Sequence, residues 1–205
     1  VTTSIAAETA KASWTHLVVF TKSSFAEQTT PAAFSLTDVI SLVPDVDFVD
    51  KDLDEGELGG VVTWTAPGDV VHVTHYVVYL ATRADGARRL QVDPLGGQRQ
   101  KHRRISADTA RVAYTHVVAY TKSTLVEQPT PTALCLPDVI SSVSGVGFVD
   151  KDLDAGELGG VVTWTAPGDV AQVTHYVVYL ATSAAGAGML QVGGDVAVGT
   201  IQGAM

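Results

Sequence analysis

Two acidic segments carry the residue types that bind a hard cation. Their carboxylates alternate with other residues and lie beside a glycine, and they are Asp50, Asp52, Asp54 and Glu57 in the first segment and Asp150, Asp152, Asp154 and Glu157 in the second. Calcium needs converging oxygen ligands and a backbone that turns sharply, which this pattern offers. Both segments are therefore candidate calcium sites. The alternative is a solvated loop between strands that keeps a sheet edge from pairing and raises solubility.

Cationic side chains cluster in a segment between the two acidic ones. The cluster consists of Arg83, Arg88, Arg89, Arg99, Lys101, Arg103 and Arg104. Two carboxylates, Asp85 and Asp93, oppose these seven cations and leave the segment at +5 in a chain whose net charge is −9. The cluster predicts binding to a polyanion or to an acidic protein surface, by steering more than by affinity. A solvated loop without a partner is the alternative.

Histidine and cysteine give weaker indications. His16, His75, His116 and His175 each follow a threonine, and two imidazoles brought together on adjacent strands, such as His75 and His116, can bind a transition metal or sense pH. We expect satisfied surface histidines instead. The single cysteine, Cys135, excludes an intramolecular disulfide and is predicted to pack inside an apolar strand. No nucleophile elbow or triad pattern is present, so we predict no catalytic residues and no enzyme.

Composition restricts the partners further. The chain has 205 residues, of which 46% are apolar and 17% charged, which is typical of a packed core. Its net negative charge repels nucleic acid. No apolar run reaches the roughly 18 residues of a membrane-spanning helix, so neither nucleic-acid binding nor membrane insertion is expected. A chain that starts at Val1 is typical of a processed product or of part of a longer protein.

The chain repeats itself with a period of 100 residues. Residues 48–82 and 148–182 differ at only three positions, namely Glu55/Ala155, Val71/Ala171 and His72/Gln172. The earlier part of the period recurs too, since Trp14-Thr15-His16 corresponds to Tyr114-Thr115-His116 without a gap. Self-similarity at a fixed period indicates repeated structural units.

Each period has the texture of short β-strands. Runs rich in Val, Thr and aromatic residues alternate with Gly, Pro and Asp clusters, and no segment indicates a helix. In residues 60–65, Val62 and Trp64 are predicted to point inward, ahead of a Pro-Gly turn. Residues 73–80 are apolar on both faces, which predicts a central strand. Further strands are predicted at residues 114–121 and 132–136, and the whole pattern indicates an antiparallel sandwich.

The strand sequences resemble the fibronectin type III family. Residues 62–67 (VTWTAP), followed by residues 73–79 (VTHYVVY), are similar to its strands B and C with their core Trp and Tyr. Residues 114–120, followed by residues 127–131, are similar to strand F, the F–G loop and the start of strand G. The resemblance implies an all-β fold of antiparallel immunoglobulin/fibronectin type III-like β-sandwich repeats. The repeat also resembles those of large multi-repeat proteins of dinoflagellate-type algae.

This resemblance sets the phase of the modules. Residues 42–141 form one complete module, residues 1–41 supply only strands E, F and G, and residues 142–205 supply only strands A, B, C and C′. Each incomplete piece needs covering, either by another copy of the chain or by neighbouring repeats of a longer chain. A head-to-tail contact that does not close would generate a filament. The alternative is that each 100-residue period closes on itself as a permuted sandwich.

The resemblance implies a structural role. We expect a non-enzymatic repeat unit of an extracellular, cell-surface or appendage protein, assembling head-to-tail into a filament by strand complementation between chains. No cofactor is expected, apart from the candidate calcium. The alternative is a binding or adhesion module that uses the acidic loops for calcium or the basic segment 83–104 for an anionic partner.

Overall fold

The protein is built of β-strands. The computed structural model describes residues 1–92, 96–97 and 100–199, and these ranges contain strands and turns but no helix. Arg99 of the basic cluster lies outside the described residues. The strands are β1 (His16–Val19), β2 (Ala32–Ser35), β3 (Val46–Asp50), β4 (Glu57–Trp64), β5 (His75–Ala81), β6 (Leu90–Gln91), β7 (Gly96–Gly97), β8 (His102–Ala110), β9 (His116–Lys122), β10 (Thr132–Cys135), β11 (Ser144–Phe148), β12 (Val162–Thr165), β13 (His175–Tyr176), β14 (Tyr179–Leu180), β15 (Leu190–Gln191) and β16 (Val196–Ala197).

Within the described ranges the strands form antiparallel sheets of different sizes. One sheet has the order β10-β9-β5-β6, and β7 also pairs with β5. A second sheet has the order β3-β4-β8. Smaller pairs are β1 with β2, β11 with β12, β13 with β16 and β14 with β15. The prediction of an all-β antiparallel fold is confirmed.

The chain divides into two compact units. The first comprises Val1–Asp47, Thr63–Arg103 and Thr115–Cys135, and it contains the sheet around β5 and β9 together with the β1–β2 pair. The second comprises Phe48–Val62, Arg104–Tyr114 and Leu136–Met205, and it contains the β11–β12, β13–β16 and β14–β15 pairs. The predicted module boundaries at residues 41/42 and 141/142 stay a prediction.

Alternating side chains give β4 one buried and one exposed face. In β4, Val62 and Trp64 are buried while Val61 is exposed, as the period-two pattern predicts. Within the first unit the Trp64 ring of β4 contacts the Tyr76 ring of β5, with 5.4 Å between centroids, a contact consistent with a β-sandwich. β5 is buried on both faces and lies between β9 and β6, which confirms a central strand.

A glycine in β4 permits a close backbone approach. At Gly60 a Cβ atom would lie 2.5 Å from the carbonyl oxygen of Val49, and the backbone has a positive φ of 157°. Any other residue would therefore force β3 and β4 apart. A Cβ atom at Gly160 would likewise meet the carbonyl oxygen of Val149, so both periods share the close approach, although the positive φ occurs at Gly60 and not at Gly160.

The buried apolar residues of the described chain lie between Val43 and Leu136. The fully buried larger ones are Val43, Leu58, Val62, Tyr76, Val78, Leu80, Val117, Val118 and Tyr120. Apolar side chains before and after this stretch are largely exposed. Among the described residues there is no helix with the length and apolar character that crossing a membrane would require.

Candidate functional site

The carboxylate of Asp50 holds the first acidic loop together. Asp50 is fully buried at the end of β3, and its oxygens accept N–H donors from Gly59 at 2.9 Å, Asp52 at 3.2 Å and Val139 at 3.4 Å. A buried carboxylate is tolerated only when such donors satisfy it. Asp50 therefore joins the loop to Gly59 in β4 and to Val139, which lies 89 residues further along the chain.

Three other carboxylates of this loop region converge. Oxygens of Asp52, Glu57 and Asp108 all lie within 4.8 Å of one another. Asp52 also accepts the N–H of Asp108 at 2.8 Å. The pKa of Glu57 is raised, first by desolvation and then by the charges of Asp108, Asp52 and Asp54. Such a set suits a hard cation, although neither Asp50 nor Asp54 belongs to it, and calcium binding stays a prediction.

Sequence reasoning missed Asp108 because it comes from β8, far along the chain from the acidic segment. Nothing in its immediate neighbours marks it as a ligand, and its position depends on the pairing of β8 with β4. In the second acidic segment the converging set is local, consisting of Asp152, Asp154 and Glu157. The two segments, nearly identical in sequence, thus gather different carboxylates.

Repulsion within the first set leads to a stability prediction. We expect Glu57→Gln to raise the midpoint of thermal unfolding slightly at pH 7, because it removes a charge that Asp52 and Asp108 oppose. A carboxyl whose pKa is raised by folding lowers stability above its ordinary pKa of 4.5, and this penalty vanishes as the pH falls below that value. Scanning calorimetry with a calcium chelator, at neutral and at acidic pH, measures the gain. Glu55→Gln is the charge-matched control, and equal gains in both variants would contradict the assignment.

The second acidic loop keeps only the local part of this arrangement. Asp150 is exposed and accepts N–H donors from Gly159 and Asp152, both at 3.0 Å. These donors, with a third from Lys151, lower the pKa of Asp150. In the first loop Asp50 also accepts the N–H of the distant residue Val139, whose equivalent one period earlier is Val39.

An ion pair that sequence reasoning missed closes the first loop. Arg111 Nη1 lies 3.1 Å from an Asp138 oxygen, and Asp138 also accepts the N–H of Gly56 at 3.3 Å. Both side chains are partly buried. The repeat contained a signal for this pair, because Lys11 and Asp38 preserve both charges one period earlier.

The basic cluster is divided between internal and exposed roles. Arg89 lies 4.4 Å from the ring centroids of both Tyr79 and Tyr120 and 2.7 Å from a Glu127 oxygen. Arg103 is buried, donates to the carbonyl of His102 and lies over Trp64. Arg103 therefore makes its aromatic contact inside the fold, whereas Arg89 makes its cation–π contacts and its ion pair at the exposed surface.

The other described members of the cluster face solvent. Arg83 pairs with Asp85 at 3.0 Å in an exposed position, a type of contact that contributes little to stability. Arg88, Lys101 and Arg104 are exposed. Binding of an anionic partner by this cluster stays a prediction.

The histidine and cysteine positions differ from expectation. β5 and β9 are adjacent as predicted, but their antiparallel register pairs His75 with Lys122 and His116 with Ala81, so the two imidazoles lie at opposite ends of the strands. The expected neighbourhood of His75 and His116 was wrong because both residues begin their strands. Cys135 is exposed rather than packed, and its thiol lies 3.5 Å from His116 Nε2.

Two apolar grooves, one in each unit, lie outside the core. The front groove, of about 440 Å³, is lined among others by Ile5, Trp14, Leu17, Val18 and Leu36. The tail groove, of about 480 Å³, is lined among others by Val143, Val146, Val162, Trp164 and Tyr176. One period after the front set, four of the five equivalent residues are buried, namely Ile105, Val117, Val118 and Leu136. One period before the tail set, all five are buried, namely Val43, Val46, Val62, Trp64 and Tyr76. Each groove is therefore lined by the side chains of one half of a sandwich core.

Equivalent residues of the repeat differ sharply in exposure. Val118 is 0% exposed whereas Val18 is 49% exposed. The same contrast holds for Leu58 at 0% and Leu158 at 61%. Since the side chains are the same, what differs is whether another strand or sheet covers them. Contiguous exposed apolar surface of this kind marks an interaction site.

No family model matches this sequence, and neither the curated proteins nor the solved structures contain a significant match.

Proposed function

We propose that the protein is a non-enzymatic structural repeat unit of fibronectin type III-like sandwiches, in which the front half-module of one copy completes the tail half-module of another. The front half-module comprises residues 1–41 and the tail half-module comprises residues 142–205. The observation that carries the proposal is the contrast in exposure between Val118 and Val18 and between Leu58 and Leu158. The apolar side chains that are buried within residues 42–141 are exposed in the two half-modules, and their burial by another sandwich half is favourable.

The two grooves support the proposal because they are complementary halves of one core. The middle period, residues 42–141, brings the equivalents of both linings together, since β5 carries equivalents of the tail lining and pairs with β9, which carries equivalents of the front lining. The second copy offers the same side-chain chemistry to each groove. Since this contact is heterologous, repetition gives an open chain of copies rather than a closed dimer.

Such a polymer of sandwiches suits a spacer or scaffold at the cell surface, in the extracellular space or in an appendage, where the family resemblance also points. This step from fold to role is an analogy. The proposal does not require a cofactor or a catalytic group.

Sedimentation velocity of the whole chain tests the proposal. Over an approximately hundredfold range of concentration we expect a series of larger species to grow in, since association by mass action rises with concentration. A compact monomer whose sedimentation coefficient does not change with concentration would overturn the proposal and favour periods that each close on themselves.

A binding module is the second candidate, and the convergence of Asp52, Glu57 and Asp108 favours it. Titration calorimetry with calcium then gives a heat that Asp52→Ala combined with Asp152→Ala abolishes. The matched control is Asp69→Ala, an acidic residue that caps a local turn through the N–H of Val71. No heat at millimolar calcium would exclude this candidate.

A further inference from the structure

The pairing of β5 with β9 provides a template for the contact between two copies. In the middle period the antiparallel register runs from His75 opposite Lys122 to Ala81 opposite His116. The residues one period after β5 are 175–181, and the residues one period before β9 are 16–22. These are the strands that border the tail groove and the front groove.

The chemistry of both strands is retained at the shifted positions. Residues 175–181 have the same sequence as residues 75–81, HYVVYLA. Residues 16–22 read HLVVFTK where residues 116–122 read HVVAYTK, so the three changed positions stay apolar or aromatic. Side chains that pack across β5 and β9 therefore have counterparts able to pack in the same way.

Both shifted strands have an open edge. β9 pairs with β5 on one side and with β10 on the other, whereas β1 pairs with β2 alone within the described residues. β13 and β14 pair with β16 and β15, which correspond to β7 and β6 beside β5. In each case the neighbour that is missing from the described chain is the one that the β5–β9 pair supplies. Unpaired backbone groups on an edge strand bind an added strand readily.

We infer that β13 and β14 of one copy pair antiparallel with β1 of a second copy in a single register, from His175 opposite Lys22 to Ala181 opposite His16. This inference rests on the proposed function and specifies its interface. The partner is a second copy of this chain, and its bound strand continues the sheet in the order β2-β1-(β14, β13)-(β15, β16).

Polar contacts of the middle period add selectivity to this register. Asp50 accepts the N–H of Val139 and Gly56 donates to Asp138. At the junction the corresponding partners are Asp150 with Val39, and Gly156 with Asp38, each pair coming from two copies. We call these contacts of the second acidic loop with residues 38–39 the polar latch of the interface, because its carboxylate and N–H groups match theirs in this register.

The junction differs from its template at the position of Arg89. Arg89, held between Tyr79 and Tyr120, is replaced by Met189, and Tyr120 is replaced by Phe20. A thioether against aromatic rings takes the place of a cation paired with Glu127. The contact between copies is therefore less sensitive to salt than the same contact inside the middle period.

Disulfide trapping between single-cysteine variants tests the register. Cys135→Ser, which introduces the residue found at position 35, supplies a background without thiols. One set of chains carries His175→Cys or Ala181→Cys together with a larger tag, and the other set carries Lys22→Cys or His16→Cys. Directly opposed residues on paired strands lie about 4.5–5.5 Å apart between Cα atoms, which a disulfide spans. A tagged and an untagged chain in each mixture ensure that the linked species joins two copies.

The expected result is oxidation to a linked heterodimer for position 175 with 22 and for position 181 with 16. The crossed pairs, 175 with 16 and 181 with 22, should remain unlinked because six residues of strand separate them by roughly 20 Å. Polymers in sedimentation with linking of the crossed pairs would overturn the register and leave the proposed function standing. Monomers in sedimentation with no linked heterodimer would overturn both.

Discussion

Val118→Asp should unfold the middle period, whereas Val18→Asp, the same change one period earlier, should leave the fold intact and abolish polymer growth. Val118 is fully buried within β9, so the substitution places an unpaired carboxylate in the core. A change of this kind costs more than about 4 kcal/mol, which is most of the stability of a typical domain. Val18 is half exposed in β1, and a carboxylate there remains in water until another copy covers it.

Two measurements separate these outcomes. Denaturant unfolding should give Val18→Asp a free energy of unfolding within about 0.5 kcal/mol of the parent chain, and sedimentation should show only monomer. Ser24→Asp, an exposed change in the same half-module that does not line the front groove and whose repeat equivalent Thr124 is also exposed, is the control and should still polymerise. Polymers formed by Val18→Asp would contradict the proposed interface.

Asp50→Ala and Asp150→Ala should separate stability from assembly in the same way. Removing the Asp50 carboxylate leaves the N–H groups of Gly59, Asp52 and Val139 without this acceptor, and we expect a loss of about 3 kcal/mol or more. Asp150 is exposed and accepts donors only from its own loop, so its removal should change the stability of the monomer little. Its loss should instead weaken association roughly tenfold, because the latch to Val39 is lost.

The pH dependence of this latch follows from the lowered pKa of Asp150. A carboxylate whose pKa folding lowers contributes fully above its ordinary value of 3.8 and loses that contribution as the pH falls through the lowered pKa. Association carried by Asp150 should therefore be the same at pH 7 and at pH 5. Asp154→Ala, in the same loop, is the charge-matched control, and a tenfold loss there too would show that net charge rather than the latch controls association.

The local parts of the fold were predictable from the sequence. Alternation in β4 identified Val62 and Trp64 as core residues, and the doubly apolar run around Tyr76 identified β5 as a central strand. Both inferences depend only on the period of two along an extended chain. The identity of the sandwich as fibronectin type III-like stays a prediction.

The parts that failed depend on contacts between distant residues. Nothing near Asp50 indicates that its carboxylate is buried, because the donor Val139 is 89 residues away. Asp108 joins Asp52 and Glu57 only through the pairing of β8 with β4. Cys135 was assigned to the interior from its apolar neighbours, yet the face on which a strand residue lies depends on the partner strand.

The arrangement in which β9, and not β1, lies beside β5 has a consequence for the newly made chain. Residues 16–22 leave the ribosome before β5, and residues 116–122 leave after it, so the first strand able to pair with β5 is β1. Strand pairing takes microseconds, whereas about 35 further residues take seconds to synthesise. A nascent chain that pairs β1 with β5 must therefore exchange this early partner for the nearly identical β9, and the speed of translation competes with that exchange.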